Sequence, residues 1–259
     1  MSFLVSGLEF QKLCKYSYCP RYELKPINND LMECDLIYLN LDHFNEFLNV
    51  LQNNKPVNKF NLITHNSDKT FTIGHLNLIN NYVNKVYPIN CNFVNEKIQK
   101  IPIGFVDDKY KPHIKFSQLM TNPPEKSILI YMNFDIATNR IERTKCLNYY
   151  SRFDWIKKES NLPPDEFYKR LAESKYVISP EGTGIDCHRI YESIFCNAIP
   201  IVKTSGLDDF YKSLPVIIVN DWNCVTEDFL LKNYDEYYEN LKKWKEDNIN
   251  WCDAFFWIK

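Results

Sequence analysis

Glycine is scarce: the 259-residue chain holds only 6, against an average usage of about 7%. Each one is therefore informative, because glycine alone enters left-handed backbone freely and lets another group press against its Cα. Four of them are Gly104, Gly182, Gly184 and Gly206. Long apolar runs are missing too. No stretch approaches the roughly 18 apolar residues of a membrane span, and Met1-Ser2-Phe3-Leu4-Val5-Ser6-Gly7 has neither a basic n-region nor a long apolar segment, so a soluble, unanchored chain is expected. The nine cysteines show no close pairs of the kind zinc sites use, and an odd number in a chain of this length argues against a secreted disulfide framework. Reduced thiols in a cytoplasm are the expected state. An excess of basic charge is also absent. Thirty-one Lys and Arg face 33 Asp and Glu, for a net charge of -2; this excludes a general nucleic-acid binder, though not a local basic pocket.

What is present is ordinary. With 45% hydrophobic and 25% charged residues, collagen-like, disordered and coiled-coil classes are ruled out. The length suits one large domain or two small ones. Asparagine is abundant, at 29 residues, and together with the many Lys and Ile it reads as an AT-rich coding bias rather than a device.

Short apolar runs alternate with amphipathic segments. Asp35 to Leu39, Phe60 to Thr64 and Lys85 to Pro88 read as strands and His43 to Leu51 as a helix. Helix and strand signals both fail from Lys111 to Pro124, which reads as a linker. A second series follows, with strands at Ser127 to Met132, Lys175 to Ser179, Ile199 to Val202 and Val216 to Val219, and helices at Arg140 to Tyr150, Pro164 to Ser174 and Cys187 to Asn197. The expected fold is α/β with parallel sheets in two Rossmann-like lobes and a cleft between them. The expected boundaries are an acceptor-side lobe at 1–120, a nucleotide-side lobe at 121–240 and a helical, aromatic tail at 241–259 packing across the junction.

The densest chemical signal runs from Ser179-Pro180-Glu181-Gly182-Thr183-Gly184 through Asp186-Cys187-His188-Arg189 to Glu192, after a strand and into a helix. Backbone N–H groups at a helix start attract anions, and Arg189 adds a guanidinium fork suited to phosphate. Glu192, three residues on, shares its face and suits ribose hydroxyls. The same spacing also describes a surface ion pair beside a tight turn. On spacing alone both readings stand, since neither a Walker loop nor the full dinucleotide fingerprint is present.

The run Ile178 to Glu192, continuing into Asn197-Ala198-Ile199-Pro200-Ile201-Val202, resembles the donor-binding signature of exostosin-like glycosyltransferases, and most of all the short soluble forms encoded by large DNA viruses and some microbes. The similarity covers roughly 126–220. It implies a GT-B arrangement, a UDP-linked sugar as donor (xylose, or another pentose or hexose), a glycan hydroxyl as acceptor, and inversion at the anomeric carbon. It also implies donor contacts from Ser179, Glu181, Gly182, Thr183, Asp186, Arg189 and Glu192, with Arg143 on the diphosphate and Asn133 in the preceding loop. Arg140 and Glu142 read as helix-surface charges, and Phe153 and Trp155 either flank the base or belong to the core.

Inverting transfer needs a general base near the acceptor hydroxyl. Asp68, after a strand of the first lobe, is the first candidate, His65 the alternate and His75 the next. Each also fits a cap or loop hydrogen bond. Metal ligation is not expected: the adjacent pairs Asp107-Asp108 and Asp208-Asp209 would point to opposite strand faces, and Glu33-Cys34-Asp35 precedes its strand. No cofactor other than the donor is implied, nor is a nucleic-acid partner. A binding module of the same fold without turnover is the alternative; a nicotinamide-dependent oxidoreductase lacks its glycine fingerprint.

Overall fold

The computed structural model describes residues 4–19, 35–107 and 120–258. The chain divides into two compact units: Met1–Ile103 with Asn250–Lys259, and Gly104–Ile249. The boundary thus falls at 103/104, rather than at 120/121, and the last ten residues belong to the first unit, while the rest of the expected tail is the end of a helix in the second. Most of the expected linker, residues 111–119, lies outside the described residues.

The first unit comprises α1 (Gly7–Lys12), β1 (Tyr16–Tyr18), β2 (Leu36–Asn40), α2 (Phe44–Asn53), β3 (Phe60–His65), α3 (Ile73–Ile79) and β4 (Val83–Pro88). Its four strands pair in parallel in the order β1-β2-β3-β4. Parallel strands are covered on both faces, which is why β2 and β3 read as continuous apolar runs. Ile37, Leu39, Phe60 and Leu62 share one core with Phe44, Phe47 and Leu51 of α2 and Leu76 and Ile79 of α3. The alternate residues Tyr38 and His65 face the other way, where the His65 ring meets Phe10 of α1 at 5.4 Å. The C-terminal residues are tied in by Val5 N–H donating to the Cys252 carbonyl at 2.7 Å and by Gln99 Nε2 donating to the Trp257 carbonyl at 2.8 Å.

The second unit comprises β5 (Ile128–Met132), α4 (Arg140–Tyr150), β6 (Ile156–Lys158), α5 (Pro164–Glu173), β7 (Ser174–Ile178), α6 (His188–Phe195), β8 (Ile199–Lys203), α7 (Asp208–Tyr211), β9 (Ile217–Val219) and α8 (Glu227–Asp247). Its strands are again all parallel, in the order β6-β5-β7-β8-β9. Ile130, Tyr176, Ile178, Ile199 and Ile201 pack with Cys146 and Tyr150 of α4 and Leu230 and Leu241 of α8. Tyr131 points to the opposite face, against Phe167 of α5. The chain leaves β5 toward β6 on one side and later returns as β7 on the other. Between the carboxyl ends of β5 and β7 lies the topological switch point, where open α/β sheets hold their ligands.

The elements read from the sequence lie where its pattern puts them, with ends shifted by one or two residues, whereas the pattern does not show the short helices α1 and α3. The three-residue strands β1 and β6 are too short to show a period, and Asp208 and Asp209 begin a helix, not a strand. The scarce glycine has an unexpected counterpart. Of the described residues with positive φ, only Gly104 is glycine, at 68°; the others are Asn66, Asn90, Asn161 and Asn197, at 54°, 48°, 55° and 55°. Asn197 closes α6, its N–H reaching the Ile194 carbonyl at 3.1 Å while Ala198 N–H reaches Ser193 at 2.9 Å. Asparagine tolerates the left-handed region better than other residues bearing a Cβ. At exposed Asn161, Asn161→Gly is therefore expected to leave stability unchanged and Asn161→Ala to cost about 1 kcal/mol; equal urea midpoints for the two variants would contradict this assignment.

Candidate functional site

Two loops meet at the switch point: one follows β5 (residues 133–139) and the other follows β7 (residues 179–187). Arg143, in the first turns of α4 and only 5% exposed, joins them. Its Nε donates to the Glu181 carbonyl at 2.9 Å, Nη1 to the Asp135 carbonyl at 2.6 Å and Nη2 to the Pro180 carbonyl at 3.4 Å. Asn139 adds two functions: its Oδ1 caps α4 through Glu142 N–H at 3.2 Å, and its Nδ2 donates to the Gly182 carbonyl at 3.1 Å. Thr183 Oγ1, in turn, donates to the Thr138 carbonyl at 3.1 Å. Gly182 is needed for closeness, not for positive φ, because a Cβ there would meet Arg143 Nη2 at 2.9 Å. The structure therefore makes Arg143 a clamp between the two loops, a role that its position after the first strand of the unit did not reveal.

Arg189, in the first turn of α6, is placed differently. Its Nε donates to the Asn133 carbonyl at 2.8 Å, while its buried Nη1 has no hydrogen-bond partner among the described residues. The Phe134 ring lies 5.5 Å from the Arg143 guanidinium and 5.8 Å from that of Arg189. Burial, and then the neighbouring Arg143 charge, lower the Arg189 pKa. Among the described residues neither guanidinium forms an ion pair with a carboxylate. Two adjacent cations held by carbonyls rather than by carboxylate ion pairs are a candidate anion site.

The acidic candidates face inward. Glu192 is 1% exposed and accepts the Tyr168 hydroxyl at 3.1 Å; no ion pair with Arg189 forms. Asp186 accepts the Tyr191 hydroxyl at 2.6 Å, the Tyr211 hydroxyl at 3.1 Å and the Cys187 N–H at 3.0 Å. Burial, followed by the Asp186 charge, raises both tyrosine pKa values. Asn133 donates through Nδ2 to the Tyr131 hydroxyl at 2.9 Å. Ser179 is 3% exposed, and its Oγ has no partner among the described residues.

Sequence reasoning missed Glu142 and Lys203. Glu142 is not a surface charge: its Oε1 and Oε2 accept from Lys203 Nζ at 3.0 and 3.1 Å, and Oε1 also accepts Trp222 Nε1–H at 2.8 Å. The pair lines a cavity of about 60 Å³ with Ser179, Glu181, Thr204 and Tyr211. A lysine closing an apolar parallel strand was the available signal, since that strand end faces the ligand. A second cavity, of about 250 Å³, is lined by Met132, Phe134, Ile136 and Leu147, with Lys158, Glu159 and Ser160. Phe153 and Trp155 are not in that lining; their rings meet at 5.3 Å, tilted by 35°, packed against the core.

In the first unit Asp68 is exposed, three residues beyond β3. His65 is 1% exposed: its Nδ1 accepts the Asn66 N–H at 2.8 Å and its Nε2 lies 3.3 Å from the Pro102 carbonyl. His75 caps α3, its Nδ1 accepting the Thr72 N–H at 3.0 Å. Burial, then the Lys69 charge, lower its pKa, as the accepting nitrogen requires. Among the described residues no three His, Cys, Asp or Glu side chains gather as a metal site, and no helix is long and apolar enough to cross a membrane.

The family model for the RXYLT1 C-terminal domain matches residues 131–257, just under half of the chain. A ribitol-5-phosphate xylosyltransferase 1 from Danio rerio is 25% identical over 124 residues, which cover 43% of this chain and 28% of that protein. The chain thus spans under a third of the curated relative it matches. Among solved structures, HepE of Anabaena in complex with UDP-glucose aligns with a TM-score of 0.46 at 13% identity, covering 83% of this chain and 75% of that one. An α-glucosyltransferase in complex with UDP-glucose and DNA aligns with a TM-score of 0.43 at 8% identity, covering 93% and 85%.

The clamp makes a direct prediction. Arg143→Lys keeps the charge but loses the fork, so it should lower unfolding stability by about 2–3 kcal/mol, the range for hydrogen bonds to a charged group. A urea-unfolding loss below about 0.5 kcal/mol would show that the three carbonyls do not depend on it.

Proposed function

We propose that the chain is a glycosyltransferase that moves a sugar, xylose or another pentose or hexose, from a UDP-linked donor to a glycan hydroxyl. The observation that carries this reading is Arg189, whose buried Nη1 lacks a partner among the described residues beside a second cation at the switch point of a parallel sheet. A diphosphate supplies the missing acceptor. The family match over 131–257 supports it, because it includes both arginines and both loops. The apolar-walled cavity of about 250 Å³ next to Phe134 suits a planar base, and its polar rim suits base edges.

The proposed step is a single displacement with inversion. The acceptor oxygen bonds to the anomeric carbon as the bond from that carbon to the β-phosphate oxygen breaks. Asp68 takes the acceptor proton, and the departing UDP keeps the electron pair. Charge then builds on the diphosphate, where Arg189 meets it without rearranging, with Arg143 holding the loop that presents it. In this reading two arginines stand in for the divalent ion that many such reactions use.

UDP at about 100 times its Kd should stabilise the protein by about 2.7 kcal/mol. Arg189→Ala should weaken UDP binding at least tenfold and remove most of that thermal shift, whereas Asp68→Asn should keep the shift and lose transfer. An unchanged shift in Arg189→Ala places the donor elsewhere; UDP binding with no donor hydrolysis or transfer in the native protein favours a binding module.

A further inference from the structure

The cavity of about 60 Å³ at the carboxyl ends of β7 and β8 has no role in holding a diphosphate. Its charged lining is Glu142, Glu181 and Lys203, two carboxylates against one ammonium, so it repels phosphate. Much of the remaining lining is already committed. Thr204 Oγ1 donates to Asp208 at 2.5 Å and the Tyr211 hydroxyl donates to Asp186 at 3.1 Å. What remains is a hydroxyl, Ser179 Oγ, 3% exposed and without a partner among the described residues, together with the spare capacity of the Glu142–Lys203 pair. Trp222 Nε1–H, bonded to Glu142 Oε1 at 2.8 Å, fixes that carboxylate from behind.

We propose that this cavity is the subsite for a neutral, hydroxyl-bearing glycosyl ring, with Glu142 and Lys203 as its selecting pair. The inference rests on the nucleotide-sugar reading above and names the part of the donor that the second unit reads. Adjacent ring hydroxyls each need one acceptor and one donor. A carboxylate and an ammonium about 3.0 Å apart offer that couple to a vicinal diol. Ser179 serves a third hydroxyl. A volume of about 60 Å³ has room for one hydroxylated edge of a ring. The surplus carboxylate sets the charge preference: neutral sugars enter and sugar acids are turned away.

The test is isothermal titration of the whole chain with UDP, UDP-xylose, UDP-glucose and UDP-glucuronate. The native protein should bind at least one neutral UDP-sugar at least fivefold tighter than UDP, and UDP-glucuronate at least fivefold more weakly than UDP-glucose. Glu142→Gln and Lys203→Met should bind UDP within twofold of native while losing the gain from the sugar, and Glu142→Gln should also shrink the glucuronate penalty. Ser179→Ala removes an atom that holds nothing in the fold, so it carries the test if the ion-pair variants melt early; it should lose at least threefold on the preferred neutral sugar and none on UDP. Variants that lower UDP and UDP-sugar affinity equally, or a native protein that binds UDP-glucuronate as tightly as UDP-glucose, would overturn the subsite and leave the UDP reading standing. Absence of any UDP or UDP-sugar binding would remove both.

Discussion

The second unit is organised around one buried guanidinium. Arg143 meets three main-chain carbonyls from two loops, and burying its charge would be costly without them. The contact explains local features that otherwise look unrelated. Residue 182 must be glycine because the fork occupies the space of a Cβ. Asn139 must both cap α4 and reach across to the Gly182 carbonyl, because the helix that carries Arg143 has to start where the two loops touch. Arg189 inherits its position from the same arrangement, since the carbonyl it grips, Asn133, belongs to the loop Arg143 fixes.

Carbonyl dipoles satisfy a guanidinium without cancelling its charge, and this separates Arg143 and Arg189 from the other well-placed arginine. Arg170 is bound by Glu159 at 3.1 Å and Glu173 at 2.9 Å, on the surface, and such pairs contribute about 0–1 kcal/mol and offer a ligand nothing. At the switch point two guanidiniums keep carbonyl rather than carboxylate partners, in a chain whose overall charge is -2.

The fold was largely legible because its period was legible. Strands buried on both faces leave runs such as Ile128-Leu129-Ile130-Tyr131-Met132, and the start of α4 is marked by its cap, Asn139. The three-residue strands β1 and β6 were not readable, because the neighbouring parallel strand supplies their hydrogen bonds and no local pattern is needed; β9, equally short, was legible only because it lies in the apolar run Val216-Ile217-Ile218-Val219. The site was legible as a place more than as a set of contacts. Ser179, Gly182, Arg143 and Arg189 do assemble there, but Asp186 and Glu192 turn inward to tyrosine hydroxyls. Glu142 escaped notice because an acidic residue in a helix's first turn already has an explanation in the helix dipole, and its partners lie 61 and 80 residues away. Long-range polar pairs leave no trace in a single sequence.

The asparagine richness that composition attributes to coding bias also does structural work, and the two explanations are compatible. A chain with 6 glycines still needs left-handed residues at the ends of β3, β4 and α6, and it places Asn66, Asn90 and Asn197 there. An asparagine brings a polar side chain that glycine lacks. Asn197 Oδ1 accepts Lys245 Nζ at 2.6 Å, so the residue that ends α6 also ties it to α8. Asn66 shows the converse demand. Its side chain lies where a Cβ on Gly7 would stand, 2.0 Å from Oδ1, so the glycine at the start of α1 is required by the asparagine after β3. Gly7 and Gly182 sit where something else comes close, while among the described residues asparagine takes four of the five positions with positive φ.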